Sequence, residues 1–350
     1  MATISSLPVE LLFAIGEYFD PGDCFDFALT CKNNWVAFKS TVERHQQLHG
    51  EYRHVVTKRE ERTIWNLLNT SLARPDVAYH IKQLTLTHDR DYGYLSGRSH
   101  SPWKPQGGVP GKDITRYIKV ASENSFLTAA PHDPEFESLR RRFRKEVDVY
   151  QIIRNGADGP LIPVLLFLLP RLRELRYCDG GDDHWLLHSL RHLADAYDRL
   201  GTTSNVSLPL GCLTTAYISH DEDSRQRIDW AFVHCIIRIP TLRSFTGHMV
   251  GGDLHPLEET LFEGRPLRSD APTSNVEELV FSYSGIGPNA FEAILSLTKN
   301  LKRFHYQHSN YIHDPPYDAW RIVAALRQYC GNSLERLELA AVDSVCVRSR

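Results

Sequence analysis

His184, His188 and His192 recur at four-residue spacing, which on a helix stacks three imidazoles along one side. Such a stack ligates zinc when a further donor joins it. The same run carries Leu186, Leu190, Leu193 and Tyr197, so the imidazoles are expected on an outward face, with no fourth ligand placed. Gly107-x-x-x-Gly111-Lys112-Asp113 falls one residue short of a phosphate-cradling loop. Asp113 also stands where a Ser or Thr would hold magnesium, so the segment reads as a turn. Arg140 to Lys145 is a basic run, but Phe143 interrupts it and Glu137 and Glu146 flank it. A solvated helix face is expected there rather than a nucleic-acid patch. No Gly-x-Ser-x-Gly or His-Glu-x-x-His occurs, and no cysteine sits in a nucleophile signature. The residues point away from catalysis: no catalytic group, metal or cofactor is expected.

Composition narrows the class further. The chain has 350 residues, a formal net charge of −3 and 42% apolar residues, enough for a substantial core without covalent staples. That charge disfavours nucleic acid or anionic lipid as the main partner. The odd, scattered cysteines Cys24, Cys31, Cys178, Cys212, Cys235, Cys330 and Cys346 suit a reducing compartment, cytoplasmic or nuclear. The most apolar run, Leu161–Leu169, is broken by Pro163 and stopped by Pro170, too short to cross a membrane.

The elements come next. Pro8 starts a helix carrying Leu11, Leu12, Ile15, Tyr18 and Phe19, ended by Asp20-Pro21-Gly22. A second short helix carries Phe25, Phe27, Ala28 and Leu29. A third starts near Asn33 and carries Trp35, Val36, Phe38 and Val42. So few residues cannot bury this much apolar surface among themselves, so part of it must face something else. The pattern Leu7-Pro8-x-Glu10-Leu11-Leu12-x-x-Ile15-x-x-Tyr18-Phe19-x-Pro21-x-Asp23, then Phe27-Ala28-Leu29-Thr30-Cys31-Lys32-x-x-Trp35, resembles the F-box. Phe19 stands where that family usually has Leu, and Cys24 where it usually has an aliphatic residue; both stay apolar. The resemblance implies a substrate-receptor subunit of an SCF (Skp–cullin–F-box) ubiquitin ligase. It also implies that Leu7, Pro8, Leu11, Ile15, Phe19, Leu29, Cys31 and Trp35 meet a Skp-family adaptor, which brings a cullin.

The remainder repeats Leu-x-x-Leu-x-Leu in variants starting at Ile81, Leu172, Leu213, Leu242, Val276, Leu301 and Leu334. The second apolar positions of the last five, 216, 245, 279, 304 and 337, are 29, 34, 25 and 33 residues apart. Helical runs at Leu161–Leu169, Asp229–Ile239, Asn289–Leu297 and Ala319–Tyr329 lie between them. Alternating strand and helix at this period predicts an α/β chain, a parallel sheet on the concave side of a solenoid with helices outside. The motif resembles degenerate leucine-rich repeats. Period-2 alternation then puts the intervening residues on the open sheet face, and Arg176, Tyr217, Thr246, His248, Ser282, His305, Arg336 and Glu338 are expected to bind a protein substrate.

The expected division is an F-box over 1–45, a helical linker over 46–79 and a repeat array over 80–350. The Gly- and Pro-rich stretch within 89–133 is expected as a mobile loop, followed by an amphipathic helix over 133–155. Only residues 340–350 follow the last motif, short for a cap over a strand edge. That edge is either a partner site or the place where the chain lacks its natural end. Two readings follow: an SCF substrate receptor, or a protein-interaction scaffold that uses F-box and repeats outside a ligase.

Overall fold

The computed structural model describes residues 7–16, 18–57, 64–87, 111–129, 153–154, 158–179, 184–200, 208–220, 227–253, 273–309 and 315–341. It is an α/β structure with N-terminal helices and a large all-parallel sheet. Three helices come first: α1 (Val9–Gly16), α2 (Pro21–Ala28) and α3 (Lys32–Tyr52). Pro21 opens α2 at its first turn, and Cys31 caps α3 by accepting the Asn34 N–H on its sulfur at 3.5 Å. Leu12, Cys24, Ala28, Ala37, Phe38 and Val42 close a small core between them. Gly16 is required there, because a Cβ at that position would strike the Phe38 ring.

Helix α3 runs unbroken across residue 45 to Tyr52, longer than the expected third helix. The expected helical linker 46–79 contains the sheet's first strand, β1 (His54–Val56), besides α4 (Ile64–Ala73) and α5 (Pro75–His80). Each expected motif then forms a strand: β2 (Gln83–Leu86), β3 (Glu174–Asp179), β4 (Thr215–His220), β6 (Ser244–His248), β8 (Glu278–Ile286), β9 (Arg303–His308) and β10 (Arg336–Ala341). Their order is β1-β2-β3-β4-β6-β8-β9-β10, every pair parallel. Two short strands that the sequence did not signal, β5 (Ile228–Asp229) and β7 (Val250–Gly252), pair beside the far end of β8.

The register explains the motif position by position. Val55, Leu84, Leu175, Ala216, Phe245, Leu279, Phe304 and Leu337 align as one row across the sheet. Leu86, Tyr177, Ile218, Gly247, Phe281, Tyr306 and Leu339 form the next inward row. The opening residues Ile81, Leu172, Leu213, Leu242, Val276 and Leu301 are wholly buried, each worth about 1.5–3 kcal/mol of apolar transfer. The residue after each turns its carbonyl sideways, as does Arg53 after Tyr52 at the first strand. Arg53, Lys82, Arg173, Thr214, Arg243, Glu277 and Lys302 each accept two backbone N–H groups from the next strand entry, at 2.8–3.2 Å. Buried backbone is thus paired before each strand begins.

Helices α8 (Leu161–Phe167), α9 (His184–Leu200), α10 (Trp230–Ile236), α11 (Pro288–Ser296) and α12 (Ala319–Cys330) pack each beside the next, in the order of the strands. Three expectations change. Within 89–133, residues 111–129 are ordered helix, α6 (Gly111–Glu123) and α7 (Ser125–Ala129), with Tyr117, Ala121 and Leu127 in the main core. The Gly111-Lys112-Asp113 turn is therefore the start of α6. The rest of that stretch, and nearly all of the 133–155 helix, lie outside the described residues, although Ile153 belongs to the main core. The imidazole side of α9 is not an outward face: His188 is fully buried. The reason is that α9 packs against α7, α8 and α10 at once, so more than one face is covered. Among the described residues no helix is long and apolar enough to cross a membrane.

Candidate interaction surfaces

The N-terminal helices present one unusual surface. Of the thirteen large apolar side chains exposed among the described residues, nine lie between Val9 and Val36. Leu11 and Ile15 sit one turn apart on α1, 51% and 37% exposed, and Leu29 is 60% exposed at the end of α2. Trp35 and Val36 follow on the first turn of α3, and Pro8 is also exposed. Three expected contacts are placed differently. Leu7 and Phe19 are half-buried against the small core, Phe19 with its ring edge-on to Phe27 at 5.1 Å. Cys31 is half-buried and spends its sulfur on the α3 cap. The sequence did not single out Val9, Phe13 or Phe25 as surface; for Val9 and Phe13 the signal was available, since α1 is apolar on more than one side.

Behind this surface, a cleft of about 680 Å³ opens between the helices and α5, lined by Phe13, Phe19, Phe38, Arg44, His45 and Tyr79 among others. At its wall, His45 Nδ1 and His80 Nε2 share a hydrogen bond at 3.2 Å, which requires one of the two nitrogens to lack a proton. Burial, then the neighbouring His45 and His49 charges, push His80 down to about 4. Burial and Arg44 lower His45 too. Asp76 is opposed by burial, but the Arg44 hydrogen bond at 2.7 Å, with Arg74 beside it, holds its carboxyl below the usual range.

The open sheet face is polar and cross-linked. Arg176, Tyr217, Thr246, Val280, His305 and Glu338 form one row across neighbouring strands. His248 and Ser282 pair two residues further along, and Arg336 lies two residues earlier, opposite Arg303. The alternation therefore brings the expected substrate-binding residues onto three adjacent rows. Most of them are engaged. Arg176 donates to Glu174 at 2.9 Å and lies over the Tyr217 ring at 5.8 Å. Glu338 takes His305 Nδ1 at 2.9 Å and Arg336 Nε at 2.7 Å, and these two hydrogen bonds, His305 first, lower its pKa. The sequence missed the rest of the ladder. Gln83 donates to Glu174 at 2.9 Å, and Ser244 and Arg303 donate to Glu278 at 2.9 and 3.0 Å. It also missed Tyr283, exposed beside the β8 bulge with φ 48° and its ring edge-on to His248 at 5.4 Å.

Cys235 is wholly buried, which pushes its thiol up to about 11 and makes it a poor nucleophile. Among the described residues no three His, Cys, Asp or Glu side chains come together as a metal site. No protein-family model matches the chain, and none of the curated proteins matches it either.

Proposed function

We propose that the chain is a substrate-recognition subunit of an SCF-type ubiquitin ligase, an adaptor without a catalytic group of its own. In this reading α1–α3 are an F-box that docks a Skp-family adaptor. The strands and helices after them are a leucine-rich-repeat-like solenoid that holds a protein substrate on its open sheet face. The observation that carries the reading is the crowd of exposed apolar side chains between Val9 and Val36. A water-facing cluster of this kind marks an interface, and it coincides with the F-box-like pattern. Supporting the second half, the face carries Tyr217, Tyr283 and Arg176 among ion pairs, residue types enriched where proteins recognise each other. Ubiquitin transfer would then follow from holding a substrate lysine at high effective concentration near the loaded enzyme.

The test is co-purification of the full chain with a Skp adaptor and a cullin. The wild type is expected to bring down both, and Leu11→Arg with Leu29→Arg neither, while the circular dichroism of the variant stays native. These positions are chosen because they are exposed, so charge there disturbs docking rather than packing. Recovery of the adaptor without a cullin would favour a scaffold outside a ligase. Equal recovery with the variant would remove the F-box reading.

A further inference from the structure

The column of strand-entry residues that share carbonyls is not evenly charged. Its first three members are Arg53, Lys82 and Arg173, joined directly by backbone hydrogen bonds: Lys82 N–H to Arg53 O at 3.1 Å and Arg173 N–H to Lys82 O at 2.8 Å. Adjacent strands are about 4.8 Å apart, so the three residues span roughly 10 Å of one sheet edge. Arg171 stands beside them with its guanidinium over the Tyr79 ring at 5.0 Å. Arg53, Arg171 and Arg173 are exposed and Lys82 is half-buried.

Among the described residues none of Arg53, Lys82, Arg171 and Arg173 has a carboxylate within ion-pair distance. Of the acids nearby, Glu174 is engaged by Gln83 and Arg176, and Asp76 by Arg44 and Arg74, while Glu51, two residues before Arg53, forms no ion pair with it. Further along the same column the charges are matched, Lys302 with Glu277 at 2.8 Å. Burial and then Arg173, Arg53 and Arg171 hold the Lys82 ammonium below its ordinary range, as expected of cations crowded together without a counter-charge. Like charges in this density repel and are relieved by an anion.

We propose that this strand-entry edge, Arg53, Lys82 and Arg173 with Arg171 beside them, docks a carboxylate-rich acidic segment of a partner protein. An extended chain sets every second side chain about 6.6 Å apart, so two or three acidic residues cover the strip. Nucleic acid is the weaker fit: the chain carries net charge −3 and a pI near 6.6, whereas such binders are strongly basic. The surface is separate from the helical docking face and does not depend on the ligase reading.

Fluorescein-labelled hexaglutamate, titrated with the full chain at low salt and followed by anisotropy, tests this. The wild type is expected to bind it, more weakly as salt rises, and hexaglutamine not at all. Arg53→Gln with Lys82→Gln and Arg173→Gln is expected to weaken binding about tenfold or more. The control Lys299→Gln with Arg327→Gln, exposed cations elsewhere, is expected to leave it unchanged. Absent binding, equal binding by the triple variant, or tighter binding of an oligothymidine of the same charge would overturn the proposal. Circular dichroism of the triple variant separates lost charge from lost fold.

Discussion

Helices α1–α3 close a core of six residues and leave nine large apolar side chains in solvent. From β1 to β9 the sheet buries two rows of largely aliphatic and aromatic residues, leaving Leu337 on the last strand exposed, and turns a ladder of ion pairs and hydrogen bonds outward. The difference is one of what each surface needs. A polar face with its charges already paired loses little by standing in water, so any client it takes competes with existing bonds and is selected by geometry. An apolar face satisfies nothing in water and gains about 25 cal/mol for each Å² a partner covers. The first kind suits a changing set of ligands and the second a standing subunit.

Substitutions sharpen this contrast. Phe281 is wholly buried, with Phe245, Phe291, Phe304 and Tyr306 around it at 6.0–6.5 Å. Phe281→Ala is expected to cost about 3–5 kcal/mol in urea unfolding, whereas Leu11→Ala should stay within about 0.5 kcal/mol. A large loss at Leu11 would mean that the exposed cluster is holding the helices together rather than waiting for a partner.

Acid probes the joint between the two regions. His80 has its pKa depressed from 6.5 to about 4 in the folded chain, so between these values the unfolded chain binds a proton that the folded one refuses. Its contribution to stability is complete above about pH 6.5 and is lost as the pH falls towards 4. His45 shifts in the same direction. Thermal unfolding of the wild type and His80→Gln at pH 7.5 and 5 is expected to show the smaller pH dependence in the variant.

The smallest effect is expected on the sheet face. Glu338→Gln removes the negative charge and one of the two carboxylate oxygens that accept from His305 and Arg336 on exposed strand surface. Stability should barely change, because the pair is screened by solvent. Capture of a client bound at this face should nevertheless change, read by pull-down against the wild type.

Much of this architecture was legible because two independent periods coincide. Alternation of two within Leu-x-x-Leu-x-Leu marks a half-buried strand, and the recurrence of the motif sets strands side by side. The first strand escaped because Tyr52-Arg53-His54-Val55-Val56-Thr57 puts Tyr and Thr where Leu is expected. Thr57 can be buried there only because its hydroxyl and carbonyl bond Thr87 at 3.1 and 2.9 Å, which composition does not reveal. His188 departs from its expected place for a related reason: helical periodicity gives one face per helix, and α9 is covered on several. The polar rows were visible as positions but not as pairs. Which carboxylate meets which cation depends on register between strands tens of residues apart.

The central claim is that residues between Val9 and Val36 form an adaptor surface. Hydrogen–deuterium exchange of the full chain with and without a Skp adaptor reads it most directly. Slowed exchange confined to α1, α2 and the first turns of α3, with the strand amides unchanged, is the predicted result. Unchanged exchange in those helices, or protection confined to β2–β10, would contradict it.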